Sequence, residues 1–367
     1  MPDRLLSRVR RLATAAGFSL LALAGMGWAV AGGLSASASA SASQPLPALD
    51  GATAWINSAP LDAQALRGKV VLVDFWTYSC INCLRTLPYV KAWAQKYEPY
   101  GLVVIGAHTP EFEFERSTAN VARAVRELGI TYPVAVDSHQ ALWRAFGTTA
   151  WPTFYFVDAD GRVRSRQLGE GRYDDAEHMI QQLLREAGRH GVPTDLVAPH
   201  ATGTQAAPGA RPAASGETYL GGARAEGFVS ARGALAGPGP GPGSNDYAPA
   251  PRLDLDQWTL AGRWRVAPDL IELAAAGGRI AYRFQARDVH LVLGPDQPGH
   301  AIRFRVRVDG RAPGADHGDD IDADGAGTVD AKKLYQLVRQ AHDDGHQHLV
   351  EIEFLDAGAQ AYAFTFG

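Results

Sequence analysis

Val70-Val71-Leu72-Val73-Asp74-Phe75-Trp76-Thr77-Tyr78-Ser79-Cys80-Ile81-Asn82-Cys83 is the stretch on which the reading of this chain turns. The unbroken apolar run from Val70 to Val73 reads as a strand buried on both faces, as in a parallel sheet. After the cysteines, Leu84, Leu87, Val90 and Ala94 recur at helical spacing, which predicts a helix to about Tyr97. Cys80 then falls at a helix N-terminus, where free N–H groups and the helix dipole stabilise a thiolate. Cys83 lies one turn further in, close enough to close a disulfide with Cys80. Thiol–disulfide exchange needs this arrangement: one exposed attacking sulfur and one shielded resolving sulfur.

Composition sets the frame. A chain of 367 residues predicts two domains, with ample apolar content for real cores. A formal net charge of −4 gives no reason to expect a nucleic-acid partner. The chain has 2 cysteines, both in the motif. A bridge over so short a loop adds only roughly 2 kcal/mol by chain entropy, a poor structural staple. A zinc site would want a second cysteine pair, so neither a metal nor another cofactor is expected.

Four further positions carry a resemblance. Asp74 lies six residues before Cys80 and is followed by Phe75-Trp76; Pro88 lies five after Cys83; Trp151-Pro152-Thr153 precedes the strand-like Phe154-Tyr155-Phe156-Val157. Together these resemble the thioredoxin superfamily. The resemblance implies a redox-active Cys80–Cys83 disulfide, a buried acid at Asp74 acting on Cys83, and a cis-proline at Pro152. It also implies a substrate groove shaped by Trp76, Trp151, Pro152 and Thr153. An extra helix–strand between the motif half and the Pro152 half is similar to the TlpA and ResA group. The wording from Phe75 to Cys83, with His108-Thr109-Pro110-Glu111-Phe112, resembles the exported thioredoxin-like module of DipZ-type proteins. There a CcdA-type membrane domain precedes the module. With no such multi-span domain in this chain, the resemblance implies a separate membrane electron donor of the CcdA or DsbD type, and protein thiols or disulfides as substrates.

In chain order, residues 1–43 read as a signal peptide or an N-terminal anchor. Arg4, Arg8, Arg10 and Arg11 form a basic region, an uncharged run follows, and Ser-Ala repeats offer cleavage sites. Both readings place the bulk of the protein outside the cytoplasm, in the periplasm or on the outer face of the cytoplasmic membrane. Residues 45–190 read as an α/β thioredoxin fold: strands near 102–105, 132–136 and 153–157, helices over 118–128 and from 173 to about 187. Ser138 is expected to cap a short helix through Phe146, and Asp158-Ala159-Asp160-Gly161 to turn a hairpin. Residues 191–216 read as a linker. Residues 217–367, broken by a flexible stretch from Gly233 to Pro251 that contains a Gly-Pro run at 237–243, read as an antiparallel β-sandwich of jelly-roll type expected to fold by itself. That region resembles the carbohydrate-binding-module-like domain of DipZ-type proteins, which implies a carbohydrate or protein ligand.

Other signals have plainer readings. Asp322 to Asp330 has the look of a calcium loop, but Lys333 stands where the bidentate Glu belongs, so it reads as an acidic turn. Arg303, Arg305 and Arg307 alternate with apolar residues, a solvated sheet face. His342, His346 and His348 read as surface histidines without fixed partners. His108 ends a parallel strand and either borders the active site or is simply hydrogen-bonded there. Thr77-Tyr78-Ser79-Cys80 also fits the T-x-x-C of peroxiredoxins, though Val73 stands where they have proline. The reading is an exported thiol–disulfide oxidoreductase, reductase or isomerase in direction because Ile81-Asn82 lacks the histidine of strong oxidants. The alternatives are a thiol-dependent peroxidase and a binding protein with a vestigial redox site.

Overall fold

The structure, a computed structural model, describes residues 44–235 and 243–367; the segment 1–43 and most of the Gly-Pro run lie outside them. The first half is one mixed sheet of seven strands: β1 (Gln44–Pro45), β2 (Ala54–Ile56), β3 (Val70–Trp76), β4 (Leu102–His108), β5 (Val134–Val136), β6 (Thr153–Val157) and β7 (Arg162–Leu168). Their order is β1-β7-β6-β3-β4-β5-β2, with β3, β4 and β5 parallel and β6 antiparallel to β3. Every residue of β3 is buried, as its continuous apolar sequence requires. Alternate side chains go to opposite faces. Val70, Leu72 and Trp76 join one core with the helices α1 (Ile81–Tyr97), α2 (Thr118–Glu127) and α4 (Tyr173–Glu186). Val71, Val73 and Phe75 join another with α3 (Ala141–Phe146). This is a thioredoxin fold with a helix–strand insertion, as the sequence predicts.

The cap of α3 differs from expectation. Asp137 takes that place: its Oδ1 accepts from Leu142 N at 3.0 Å and its Oδ2 from Trp143 N at 2.9 Å. A carboxylate has two acceptor oxygens and satisfies both N–H groups, where one hydroxyl would serve one. Ser138 Oγ instead donates to Arg116 O at 2.7 Å.

The second half is antiparallel throughout its strands: β8 (Thr218–Tyr219), β9 (Asn245–Tyr247), β10 (Trp258–Val266), β11 (Ile271–Leu273), β12 (Arg279–Phe284), β13 (Asp288–Pro295), β14 (Ile302–Val308), β15 (Ala326–Val329), β16 (Lys333–Arg339), β17 (His348–Phe354) and β18 (Ala359–Phe366). Strand β10 belongs to both layers. Its residues Trp258 to Ala261 pair with β12, and from Gly262 onward it pairs with β9 and β11. The crossing point is Gly262, at φ +93°, where a Cβ would press on Gly278 Cα at 3.0 Å. Trp258, Trp264, Tyr282, Phe304 and Phe354 fill the space between the layers. The arginines of β14 alternate outward as expected, and Arg303 pairs with Asp356 at 2.8 Å. His348 corrects the reading of unpartnered histidines: it lies 2.7 Å from Asp309 and 3.2 Å from Asp344.

The two halves meet over a shared surface. Val292, Leu334, Tyr362 and Ala363 of the β half belong to the same core cluster as α1 and α2. The Tyr362 ring sits edge-on to Phe112 at 5.3 Å and to Phe114 at 5.0 Å. Beneath them Arg85 of α1, 3 % exposed, reaches Asp288 at 3.2 Å and Glu170 at 3.4 Å. Asp288 also takes Arg287 at 2.9 Å and Arg339 at 3.5 Å. The connecting residues 190–216 carry a single 3₁₀ turn and lie against both halves, with Lys91 donating to Gln205 and Arg339 to Gly203 O.

Candidate active site

Strand β3, in the middle of the sheet, ends at Trp76, and α1 begins at Ile81 after a four-residue loop. Cys80 occupies the N-cap position with extended dihedrals, and no side chain caps the helix there. Cys80 is half-buried; Cys83, one turn on, is 1 % exposed. The Cys83 thiol hydrogen-bonds towards the Cys80 sulfur, and burial drives its pKa well up. Both are present as free thiols.

Behind Cys83 lies a carboxyl. Asp74 is 1 % exposed on the helix-covered face of β3. Its Oδ1 has no hydrogen-bond donor among the described residues, and burial pushes its pKa up to about 8. Its neighbour across the parallel ladder is Gly106. A Cβ there would meet Trp76 Nε1 at 2.9 Å and Tyr132 Cε2 at 3.1 Å, so the missing side chain lets both rings close on the strand. Burial first, and then the charges of Asp74 and Cys83, drive the Tyr132 pKa well up and hold its phenol protonated.

In front of Cys80 the supporting group is Glu115, fully buried. It accepts hydrogen bonds from the Thr77 hydroxyl, from Ser79 Oγ at 2.6 Å and from Ser79 N at 3.3 Å. Its second oxygen accepts from Glu111 N at 2.7 Å and Phe112 N at 3.0 Å. One carboxyl thus ties the approach to Cys80 to the loop after β4. His108 lies under this loop rather than in the site: it is fully buried, stacked on Tyr78 at 5.3 Å and edge-on to Trp76 at 5.2 Å. Burial lowers its pKa to about 3, so it is neutral.

Cys80 opens into a cavity of about 360 Å³. One wall is Cys80, Ile81 and Trp151; the facing wall comes from the β half, with Glu217, Tyr219 and Thr365. The Trp151–Pro152 peptide is cis. Trp151 leans on Trp143, ring centroids 4.2 Å apart. Of the four expected groove residues, only Trp151 lines this cavity. Trp76, Pro152 and Thr153 are buried behind it, and Thr153 Oγ1 is engaged by Ala150 O at 2.7 Å.

Both halves of the chain resemble known families. Residues 41–183 match the Redoxin family, and residues 215–367 match the family described as thioredoxin like C-terminal domain. Thiol-disulfide oxidoreductase YkuV of Bacillus subtilis is 32% identical over 143 residues, which are 39% of this chain and 96% of YkuV. The chain belongs to the thioredoxin-like thiol–disulfide oxidoreductases. DipZ of Mycobacterium tuberculosis is 38% identical over 255 residues, 68% of this chain, but the chain spans only 35% of DipZ. A solution structure of a thioredoxin-like protein in the oxidized form, 32% identical, covers 39% of the chain and is itself covered to 97%, with a TM-score of 0.37.

In this oxidoreductase the structure places Cys80, Cys83 and Asp74 close to one another. It adds groups that sequence reasoning passed over: Glu115, Glu111, and the β-half pair Glu217 and Tyr219. A faint signal for Glu115 exists in Glu111-Phe112-Glu113-Phe114-Glu115, where two phenylalanines, both buried, alternate with three acids in a loop. Nothing local marks Glu217 or Tyr219.

Proposed function

We propose that this oxidoreductase works on exported proteins through the Cys80–Cys83 pair, in the reductive or isomerising direction. The observation that supports this assignment is the asymmetry of the two sulfurs: Cys80 lines the cavity, and Cys83 is buried against Asp74. Cys80 as thiolate attacks one sulfur of a substrate disulfide. A Cys80–substrate bond forms and the other substrate sulfur leaves. Cys83 then gives its proton to the ionised Asp74 carboxylate and attacks Cys80 Sγ, forming the Cys80–Cys83 disulfide and releasing the second substrate thiolate. A carboxyl that titrates near 8 suits this task, because an acceptor works best with its pKa near the working pH. The substrate strand lies beside the Thr149-Ala150-Trp151 loop, which forms the cavity wall nearest Cys80.

The basic and then uncharged residues at the start of the chain support export. Among the described residues no helix is long and apolar enough to cross a membrane. A membrane carrier of the CcdA or DsbD type restores the dithiol. The test is capture: tagged Cys83→Ala and Cys80→Ala chains are recovered from periplasmic extract and run on non-reducing gels. Cys83→Ala should hold thiol-sensitive adducts and Cys80→Ala none. Adducts confined to Cys80→Ala would reverse the assignment.

A further inference from the structure

The wall of the cavity opposite Cys80 carries an unusual hydrogen-bond count. The Tyr219 hydroxyl donates to Glu111 Oε1 and also lies 3.0 Å from Glu217 Oε2. A phenol has one proton to give. It can satisfy one carboxylate, and the second contact is a hydrogen bond only if that carboxyl carries a proton of its own. The bridge Glu111–Tyr219–Glu217 therefore holds one proton between two carboxyls. Glu111 comes from the loop after β4, and Glu217 and Tyr219 from the β half, so the bridge exists only where the halves meet.

The surroundings favour keeping that proton. Glu111 has a buried side chain, and its pKa is pushed up to about 8, by burial first and by the Glu217 charge second. Glu115 on its own loop acts in the same sense. The hydrogen bond from Tyr219 opposes them, and so does Arg224, 3.9 Å from Glu111 with its guanidinium stacked on the Tyr219 ring at 3.5 Å, but burial and the Glu217 charge outweigh both. Glu217 is exposed and lines the same cavity, a route for exchange with water. Thr365 lines the same cavity, is 6 % exposed, and its Oγ1 has no partner among the described residues. A free hydroxyl in that place fits a group arriving from outside the protein.

We infer that the Glu111–Tyr219–Glu217 bridge is a proton donor to the thiolate that leaves the substrate disulfide. The inference rests on the proposed attack by Cys80. When the Cys80–substrate bond forms, the departing sulfur takes the electron pair and emerges as R–S⁻. The bridge gives it a proton, leaving R–SH and a second carboxylate, and water restores the proton through Glu217. The same transfer serves the second thiolate, released when Cys83 attacks. An alkyl thiolate is a poor leaving group and gains most; an aromatic one leaves unaided.

The experiment follows from that contrast. The reduced full chain is reacted with bis(2-hydroxyethyl) disulfide, a neutral alkyl disulfide, and with 2,2′-dithiodipyridine, a neutral activated one. The readout is the ratio of the two rates, taken on one preparation, so that any loss of folded protein cancels. Glu217→Gln, Glu111→Gln and Tyr219→Phe should each slow the alkyl reaction about tenfold more than the activated one. In the unsubstituted chain the alkyl reaction should lose ground to the activated one as pH rises through 8. A ratio unchanged in all three variants, or both rates falling together, overturns the inference. If the reduced chain reacts with neither disulfide, the Cys80 assignment itself has failed.

Discussion

Asp74 and Glu115 are both carboxyls sealed inside the α/β half, one behind Cys83 and the other beneath the residues leading to Cys80. Glu115 receives two hydroxyls and three backbone N–H groups. Asp74 Oδ1 receives no donor among the described residues. Burial raises the pKa of both, but in Glu115 four of those partners work against the rise. A buried carboxyl with donors fixes backbone; one without them is free to take a proton. In the proposed mechanism the same residue chemistry serves as an anchor on one side of the cysteine pair and as a proton acceptor on the other, and the number of donors separates the roles.

The severest attack on this comparison is Glu115→Ala. It strands five donors in a dry loop and should cost about 4 kcal/mol in urea unfolding. A loss under about 1 kcal/mol would mean that the loop holds its shape without the anchor. Next comes the pH dependence of stability. Asp74 keeps its proton in the native state up to about pH 8, while in the unfolded chain it titrates near 3.8. Below both values it contributes nothing. As pH rises between them the unfolded state ionises and the native state does not, so stability falls. Between pH 5 and pH 8 this should remove about 3 kcal/mol, and Asp74→Asn should abolish that part of the slope. An Asn variant with the original slope would assign the loss elsewhere.

The same substitution should slow resolution of a preformed Cys80 mixed disulfide by about 100-fold, followed by release of a chromogenic thiol. Alkylation of Cys80 by iodoacetamide should be far less affected. Equal effects on both would make Asp74 a structural group like Glu115. The mildest change is Ser79→Ala, which removes one of the five donors to Glu115. About 1 kcal/mol of stability should go with it, and the rate of Cys80 alkylation is the measure of whether the loop has moved.

Much of this was legible in the order of residues. The all-buried strand β3, the helix starting at Ile81 and ending at Tyr97, and most strands from Arg279 onward follow periods that local sequence records; Ala326–Val329, inside the stretch that reads as an acidic turn, is instead a strand paired with β14. Asp74 was visible as an acid closing an apolar run. Trp258–Val266 was not singled out as a strand, because it changes layers at Gly262 and so has no single in–out alternation. Glu115 escaped because its partners come from two loops well separated in sequence, and a carboxyl in a loop ordinarily faces water. The facing wall of the cavity escaped for a stronger reason. Glu111 and Tyr219 are 108 positions apart, and only the packing of the halves brings them together.

That packing has a consequence for how such chains can be recombined. Arg85 stands two residues after Cys83, and its main counter-charge, Asp288, belongs to the other half. A chimera that joined this α/β half to a foreign β partner would leave a guanidinium buried under the cysteine helix with only Glu170 to answer it. A graft that kept the helix would then need a carboxylate at the same place in the incoming strand. The unit that can be exchanged between relatives is therefore the whole of residues 44–367, with the seam included.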